Sequence, residues 1–375
     1  MTILASQPFK GIYALSALGF ELARFPLFMV KYLSSYGRQH PEWTFRQAIG
    51  VRLLASLIYH IAKLHLVTPL SLLPGKEGER WVVIKPAHEH VYRGPLRMDT
   101  HVNPIEIGAT WYPAPLTPGS NKDNVTVILH IHGGAFVLGD GRTRSNGFMA
   151  KLLLKHATAT HVICPQYRLS TMPISETCNP FPAALQDSLT TYLYLINDLN
   201  MSPKDIVLSG DSAGANLAIA LLRYISEHGA DLDVPGPASC LLWSPWIDPS
   251  DTSNSYVYDN ANYATDYIST AFTQWGAGAY AGVAGVPSLS QPYINHKLKT
   301  FKTGTQLWVH AGDAELLYYD SKEWAEKMKD AGNDVTFASE KKAPHDVLAI
   351  GHVLGFGREA VRSAKQAGEW LKNKA

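Results

Sequence analysis

The 375-residue chain has little of what marks several large protein classes. Its three cysteines, Cys164, Cys178 and Cys240, are odd in number and show no C-x-x-C spacing. They fit reduced core residues better than a disulfide framework, and a zinc site has no support. No long run of one charge sign occurs, and 33 Lys and Arg balance 32 Asp and Glu to a net charge of +1. A nucleic-acid partner would show as a basic stripe, and none is present. Internal repeats and low-complexity tracts are also missing. The composition, 46% hydrophobic and 17% charged, fits a soluble globular enzyme. A chain of this length buries roughly three quarters of its unfolded surface, so no metal or disulfide staple is needed. One large domain with a lid fits the length as well as two domains do.

Long uncharged apolar runs are scarce too. Phe9 to Tyr36 is rich in Leu, Phe, Ala and Ile, but Lys10, Glu21, Arg24 and Lys31 interrupt it. The uncharged run from Gly11 to Phe20 is ten residues, too short to span a bilayer. Pro26 is expected to break the segment, because it cannot continue a helix from the preceding turn. Lys10 ahead of an apolar run has a signal-peptide layout, yet no small-x-small cleavage site follows. The expected location is the cytoplasm, with membrane association and secretion left open. Thr44-Phe45-Arg46-Gln47 reads as a capping box. It opens a helix with Ile49, Leu53, Leu57 and Ile61 along one face and Leu54, Ile58 and Leu64 beside them. These N-terminal helices either cap the core or dip into a membrane interface to collect apolar substrate.

What is present is chemistry. Gly210-Asp211-Ser212-Ala213-Gly214 reads G-x-S-x-G between an apolar strand-like run, Ile206 to Leu208, and a long apolar stretch, Ala213 to Ile225. Strand, sharp turn and helix lift one hydroxyl above a parallel sheet and aim a helix N-terminus at it. A serine there attacks acyl carbons, but only with an adjacent base. The partners should follow as acid, then histidine. His345, in Pro344-His345 after the strand-like run Asp334 to Phe337, supplies the base. It takes the serine proton and later returns it to the leaving group. The acid orients its imidazole. Asp313 and Glu315, after the run Thr305 to His310, both lie in the expected loop, about a hundred residues beyond Ser212. Spacing alone leaves both open.

A tetrahedral oxyanion needs preaimed donors. The run Val125 to Ile131 leads into His132-Gly133-Gly134-Ala135-Phe136. The N–H groups of Gly133, Gly134 and Ala213 are the expected oxyanion hole, with Ala135 a further candidate donor. His132 is expected to brace this loop rather than transfer protons.

Strands at Trp81 to Ile84, His161 to Cys164 and Ser239 to Trp243 alternate with helices such as Pro182 to Leu199. Alternation implies a mostly parallel α/β sheet flanked by helices on both faces. Residues 249–300 form a long insertion with Tyr256, Tyr258, Tyr263, Tyr267, Phe272, Trp275 and Tyr280. A structureless loop of that length is improbable on general grounds, so helices are expected there. Its aromatics are candidates for an acyl or alcohol pocket, with more than half of them expected simply to pack.

The pairing of His132-Gly133-Gly134-Ala135-Phe136 with Gly210-Asp211-Ser212-Ala213-Gly214 resembles the hormone-sensitive-lipase-like branch of the α/β-hydrolases. Tyr167-Arg168-Leu169-Ser170, Phe181-Pro182-Ala183-Ala184 and Ser244-Pro245-Trp246-Ile247-Asp248 extend the resemblance over residues 80–375. The segment with Trp43-Thr44-Phe45 is similar to fungal members. The resemblance implies an α/β-hydrolase fold with a helical cap. It divides the chain into an N-terminal cap segment (1–75), core (76–248), cap insertion (249–300) and core (301–375). The family's G-x-x-(D/E)-x-L segment maps onto Gly312 to Leu317 and selects Glu315. Ala135 departs from the family's third glycine, and its methyl is expected to narrow the acyl pocket.

The resulting expectation is a cofactor-free serine carboxylic ester hydrolase for small to medium apolar esters, with Ser212, Glu315 and His345 catalytic. A secondary-metabolite tailoring hydrolase, an acyltransferase and an arylformamidase-like amide hydrolase of the same fold are the near alternatives. A non-catalytic ligand-binding protein is the alternative from another class; receptors of this fold lose the histidine, which stands here.

Overall fold

The computed structural model describes residues 7–175 and 177–374. Eight strands form one sheet: β1 (Trp81–Ile84), β2 (Ile107–Tyr112), β3 (Val127–Ile131), β4 (His161–Gln166), β5 (Ile206–Asp211), β6 (Ser239–Trp243), β7 (Gln306–Gly312) and β8 (Val335–Glu340). Their order is β1-β2-β4-β3-β5-β6-β7-β8. β1 and β2 run antiparallel, and every pairing from β4 to β8 is parallel.

The parallel strands are near-continuous apolar runs because helices cover both of their faces. All residues of β3, β5 and β6 are buried. Ten helices surround the sheet among the described residues. They are α1 (Phe9–Leu33), α2 (Phe45–Leu64), α3 (Thr143–His156), α4 (Ala183–Leu193), α5 (Ala213–Leu232), α6 (Asn254–Tyr258), α7 (Thr270–Ala281), α8 (Tyr318–Asp330), α9 (Val347–Leu354) and α10 (Gly357–Lys374). Leu185, Leu189, Leu217 and Leu221 pack in the larger core, whereas Met149, Leu153, Ala364 and Trp370 fill the smaller one. Cys164, Cys178 and Cys240 are free and buried.

Register sets the site. Ile131 stands beside Gly210, Asp211 beside Trp243, and Gly312 beside Glu340. The carboxyl ends of the central strands are therefore level, and the loops leaving them converge on one edge, as open parallel sheets favour.

Two expectations for the N-terminal helices are corrected. Pro26 does not end a helix: α1 runs unbroken from Phe9 to Leu33 with Pro26 inside it. Contacts on both sides of the proline hold it to α2. Arg52 pairs with Glu21 at 3.6 Å and lies over the Phe28 ring at 4.4 Å. Such packing offsets a proline cost of about 3 kcal/mol. The second correction concerns α2. Its capping box is formed, with Thr44 Oγ1 accepting from Gln47 N and Gln47 Oε1 accepting from Thr44 N. Yet Leu53 and Leu57 face outward, while Val51, Ala62 and Leu64 are buried. Ile49, Leu54, Ile58 and Ile61 pack on the core as the spacing predicts, so only Leu53 and Leu57 depart from it, on the side of α2 that α1, α7 and α9 leave open.

The segment between these helices is tied to the core. Arg38 donates to the carbonyls of Tyr32, Leu33 and Trp43, so it closes the C-terminal end of α1. Trp43 is buried, crosses Phe356 edge-on and donates its indole N–H to Lys342 O at 2.7 Å. Trp43→Ala should therefore lower the unfolding free energy by about 3–5 kcal/mol, read by chemical denaturation. An unchanged midpoint would show that the segment is not anchored there.

Candidate active site

Ser212 sits between β5 and α5 at φ 51° and ψ −117°, a conformation that L residues avoid. The turn is possible because its neighbours are glycines. A Cβ on Gly210 would lie 2.4 Å from Gly214 O, and one on Gly214 would lie 2.0 Å from Ile131 O. The serine backbone is held by its N–H on Trp243 O and by Trp246 N on its carbonyl.

The structure brings Ser212, His345 and Glu315 together. Ser212 Oγ lies 2.9 Å from His345 Nε2. On the other side of the ring, Nδ1 faces Glu315 Oε1 at 3.7 Å, longer than a hydrogen bond, and neither atom has another partner. A proton on Nδ1, toward the carboxylate, leaves Nε2 as the acceptor for the serine hydroxyl. Glu315 is completely buried, and its other oxygen, Oε2, accepts from Ser244 Oγ at 2.6 Å and from Gly312 N at 2.9 Å. Ser244 Oγ also accepts from Asp346 N, so one hydroxyl joins the acid loop to the histidine loop. Asp313 turns away and accepts from Lys342 N.

Electrostatics at the ring are dominated by carboxylates. Burial pulls the His345 pKa down, but the Glu315 carboxylate facing Nδ1, followed by the Asp266 and Asp346 charges, outweighs it and raises it to about 9. Asp266 is pushed up to about 6, first by burial and also by the nearby Glu315 charge. Asp346 rises well above the usual carboxylate range through burial and then the Asp211 charge.

One expected oxyanion donor is already engaged. Gly133 N–H donates to Asp211 Oδ2 at 2.9 Å. Asp211 also holds His130 at 2.9 Å and is buried, so this contact is built in. The N–H groups of Gly134 and Ala135 make no bond within the described chain, and Ala213 opens α5, where an N–H has no helical partner. Ala135 adopts φ 52° and Phe136 φ 65°, which lets this loop turn without the third glycine. The Ala135 methyl points at α7, so close that a Cβ on Gly276 would lie 2.7 Å from it. His132 braces the loop: its Nδ1 is 2.7 Å from Gly133 O, and its ring stacks on Tyr167 at 4.2 Å.

Sequence reasoning missed a clamp from residues 260–266 onto the Glu315 loop. Asn260 donates to Leu316 O, Asn262 to Asp313 O and Glu315 O, and Thr265 to Ala314 O. Asp266 Oδ2 accepts from Leu316 N at 2.6 Å. Asn260, Asn262, Thr265 and Asp266, scattered in a polar insertion, carry a weak signal, because such residues also serve ordinary turns. Of the insertion's aromatics, Tyr263 and Tyr267 line a cleft of about 560 Å³ together with α1 and α2. Tyr256, Phe272, Trp275 and Tyr280 pack inward instead, Tyr280 stacking on Phe136 at 3.8 Å.

Comparison with known proteins bears on the fold. A family model described as the alpha/beta hydrolase fold matches residues 128–349. An esterase of Acinetobacter venetianus is 31% identical over 56% of this chain and 64% of its own length, just under two thirds. An acetyl-hydrolase of Streptomyces hygroscopicus is 30% identical over 63% of this chain and 73% of its own. A solved esterase of the bacterial hormone-sensitive lipase family superposes with a TM-score of 0.59 at 21% identity, covering 87% of this chain and 98% of that one. The chain belongs to the α/β-hydrolase fold family.

A base must be unprotonated to accept the serine proton, so kcat/KM should rise with pH along a limb above the ordinary imidazole value of 6.5. Asp266→Asn removes a charge that raises the His345 pKa. The limb should then move to lower pH, whereas an unmoved limb would show that Asp266 does not reach the ring. Ser244→Ala should lower kcat on the order of tenfold, as expected for losing one hydrogen bond of about 1–2 kcal/mol to a buried carboxylate; undiminished turnover would contradict this.

Proposed function

We propose that this esterase hydrolyses small to medium apolar carboxylic esters through an acyl-enzyme on Ser212. The observation that carries the reading is Ser212 Oγ at 2.9 Å from His345 Nε2, with the buried Glu315 facing the far side of the same ring. His345 takes the hydroxyl proton as Ser212 attacks the acyl carbon, and gives it to the departing alkoxide. Water then enters, His345 takes its proton, and the acid is released with Ser212 regenerated. Glu315 stabilises the imidazolium that forms in each half-reaction. The oxyanion is held by the N–H groups of Gly134, Ala135 and Ala213, with Gly133 confined to positioning the loop through Asp211. No step calls for a cofactor.

The N-terminal helices and residues 249–300 act together as the cap in this reading. The cleft beneath them borders the site through Asp266 and Tyr267, whose ring centroid is 5.6 Å from that of His345. Phe20, Phe28, Tyr32 and Ile268 share the lining of the cleft with Glu21, Arg24, Arg52 and His60, so an acyl or alcohol chain would lie along its apolar part. The clamp ties this cap to the loop that carries Glu315.

The test is steady-state hydrolysis of p-nitrophenyl acetate, butyrate and decanoate by purified protein. Wild type should turn over the short esters, and Glu315→Gln should lose roughly two or more decades in kcat with KM little changed. Asp313→Asn should stay within a few-fold of wild type. Loss confined to Asp313→Asn would overturn the acid assignment, and absence of turnover on every ester would overturn the substrate class.

A further inference from the structure

Helix α1 is inside-out for a surface helix. A helix on a water-soluble protein turns its apolar stripe inward and its charges outward. Here Lys10, Glu21, Arg24 and Lys31 all fall on the arc that faces α2, at about 100° per residue. Glu21 is paired there with Arg24, Arg52 and His60, and Tyr13 bonds His60 at 2.9 Å. The opposite arc carries no charged residue over the 25-residue helix. Its large side chains stand open: Leu15 is 73% exposed, Leu18 58%, Leu22 63%, Val30 71% and Leu33 69%. Leu53 and Leu57 of α2 are likewise exposed.

We propose that this outward face of α1 docks the enzyme onto a lipid bilayer containing anionic lipid, lying in the interface rather than crossing it. Three observations fix the occupant and the pose. An uncharged apolar arc along a 25-residue helix is far larger than the scattered apolar side chains of ordinary surfaces. The surrounding segment is cationic, with seven Lys and Arg against two Asp and Glu over residues 7–75 in a chain of net charge +1. Most of these side chains are held against the protein, so the bias reaches anionic head groups as a field within a Debye length rather than through direct contacts. Finally, α1 is fastened along its length, by the Glu21 cluster and by Arg38 at its end. By length and composition α1 could cross a membrane, but a spanning helix would have to leave α2 and carry the paired Glu21 and Arg24 into hydrocarbon, whereas an interfacial one keeps them against the protein. The cleft under α1 would then open beside the lipid surface.

Flotation with vesicles of equal parts phosphatidylcholine and phosphatidylglycerol, and with phosphatidylcholine alone, tests this. The full chain should float with the mixed vesicles and less with the neutral ones. The triple variant Leu15→Glu, Leu18→Glu, Leu22→Glu should lose tenfold or more of its partitioning while its thermal unfolding midpoint stays within a few degrees. None of these three leucines lines the cleft. Failure of wild type to float, or equal flotation of a folded triple variant, would overturn the proposal. So would a wild-type dimer in sedimentation that the triple variant abolishes without any vesicle binding, since a second copy would then cover the face. A catalytically silent enzyme would leave this test intact, because it reads binding alone.

Discussion

The site is organised around one buried charge. Glu315 is out of reach of water, and a carboxylate in that position is costly unless its oxygens are occupied. Oε2 is satisfied by Ser244 Oγ and Gly312 N, which leaves Oε1 with only the His345 ring to face. That restriction gives the imidazole its orientation, and the orientation aims Nε2 at Ser212. The surrounding fold serves this arrangement. β7 and β8 end level, Ser244 leaves β6 at the same edge, and residues 260–266 clamp the backbone on both sides of Glu315.

A second constraint is backbone conformation. Ser212, Ser244 and Asp346 all take positive φ, as do Ala135 and Phe136 in the loop opposite. Strain of this kind costs of order 1–3 kcal/mol at each residue and persists only where surrounding structure holds it. It is gathered here where side chains and N–H groups must converge. Asp211 helps hold it: within the G-x-S-x-G turn, its carboxylate fixes Gly133 and His130 rather than facing solvent. The free donors are thereby moved one residue along the loop, to Gly134 and Ala135.

Much of this was readable from residue order. The strand before each functional loop is an apolar run, and serine, acid and histidine arrive in the sequence that the parallel topology needs. What was not readable is three-dimensional in origin. Nothing local says that Gly133 N–H points at a carboxylate 78 residues away. The clamp residues Asn262 and Asp266 look like turn formers until the insertion is folded back on the loop at Asp313 to Leu316. Pro26 inside α1 and the outward Leu53 and Leu57 of α2 depart from the local rules for helix ends and stripes for one reason: packing between α1, α2 and α9 overrides those rules. The choice between Asp313 and Glu315 rested on family resemblance. Geometry separates them, because Asp313 is turned onto Lys342 N.

The central claim is that buried Glu315, acting through His345, makes Ser212 nucleophilic. Covalent labelling by a fluorophosphonate, followed by intact mass and peptide mapping, reads that nucleophilicity without any assumption about the natural ester. The account predicts a single adduct on Ser212, none on Ser212→Ala, and labelling slowed by roughly a hundredfold or more in Glu315→Gln. Labelling of Ser212→Ala at the wild-type rate, or an undiminished rate in a folded Glu315→Gln, would contradict it.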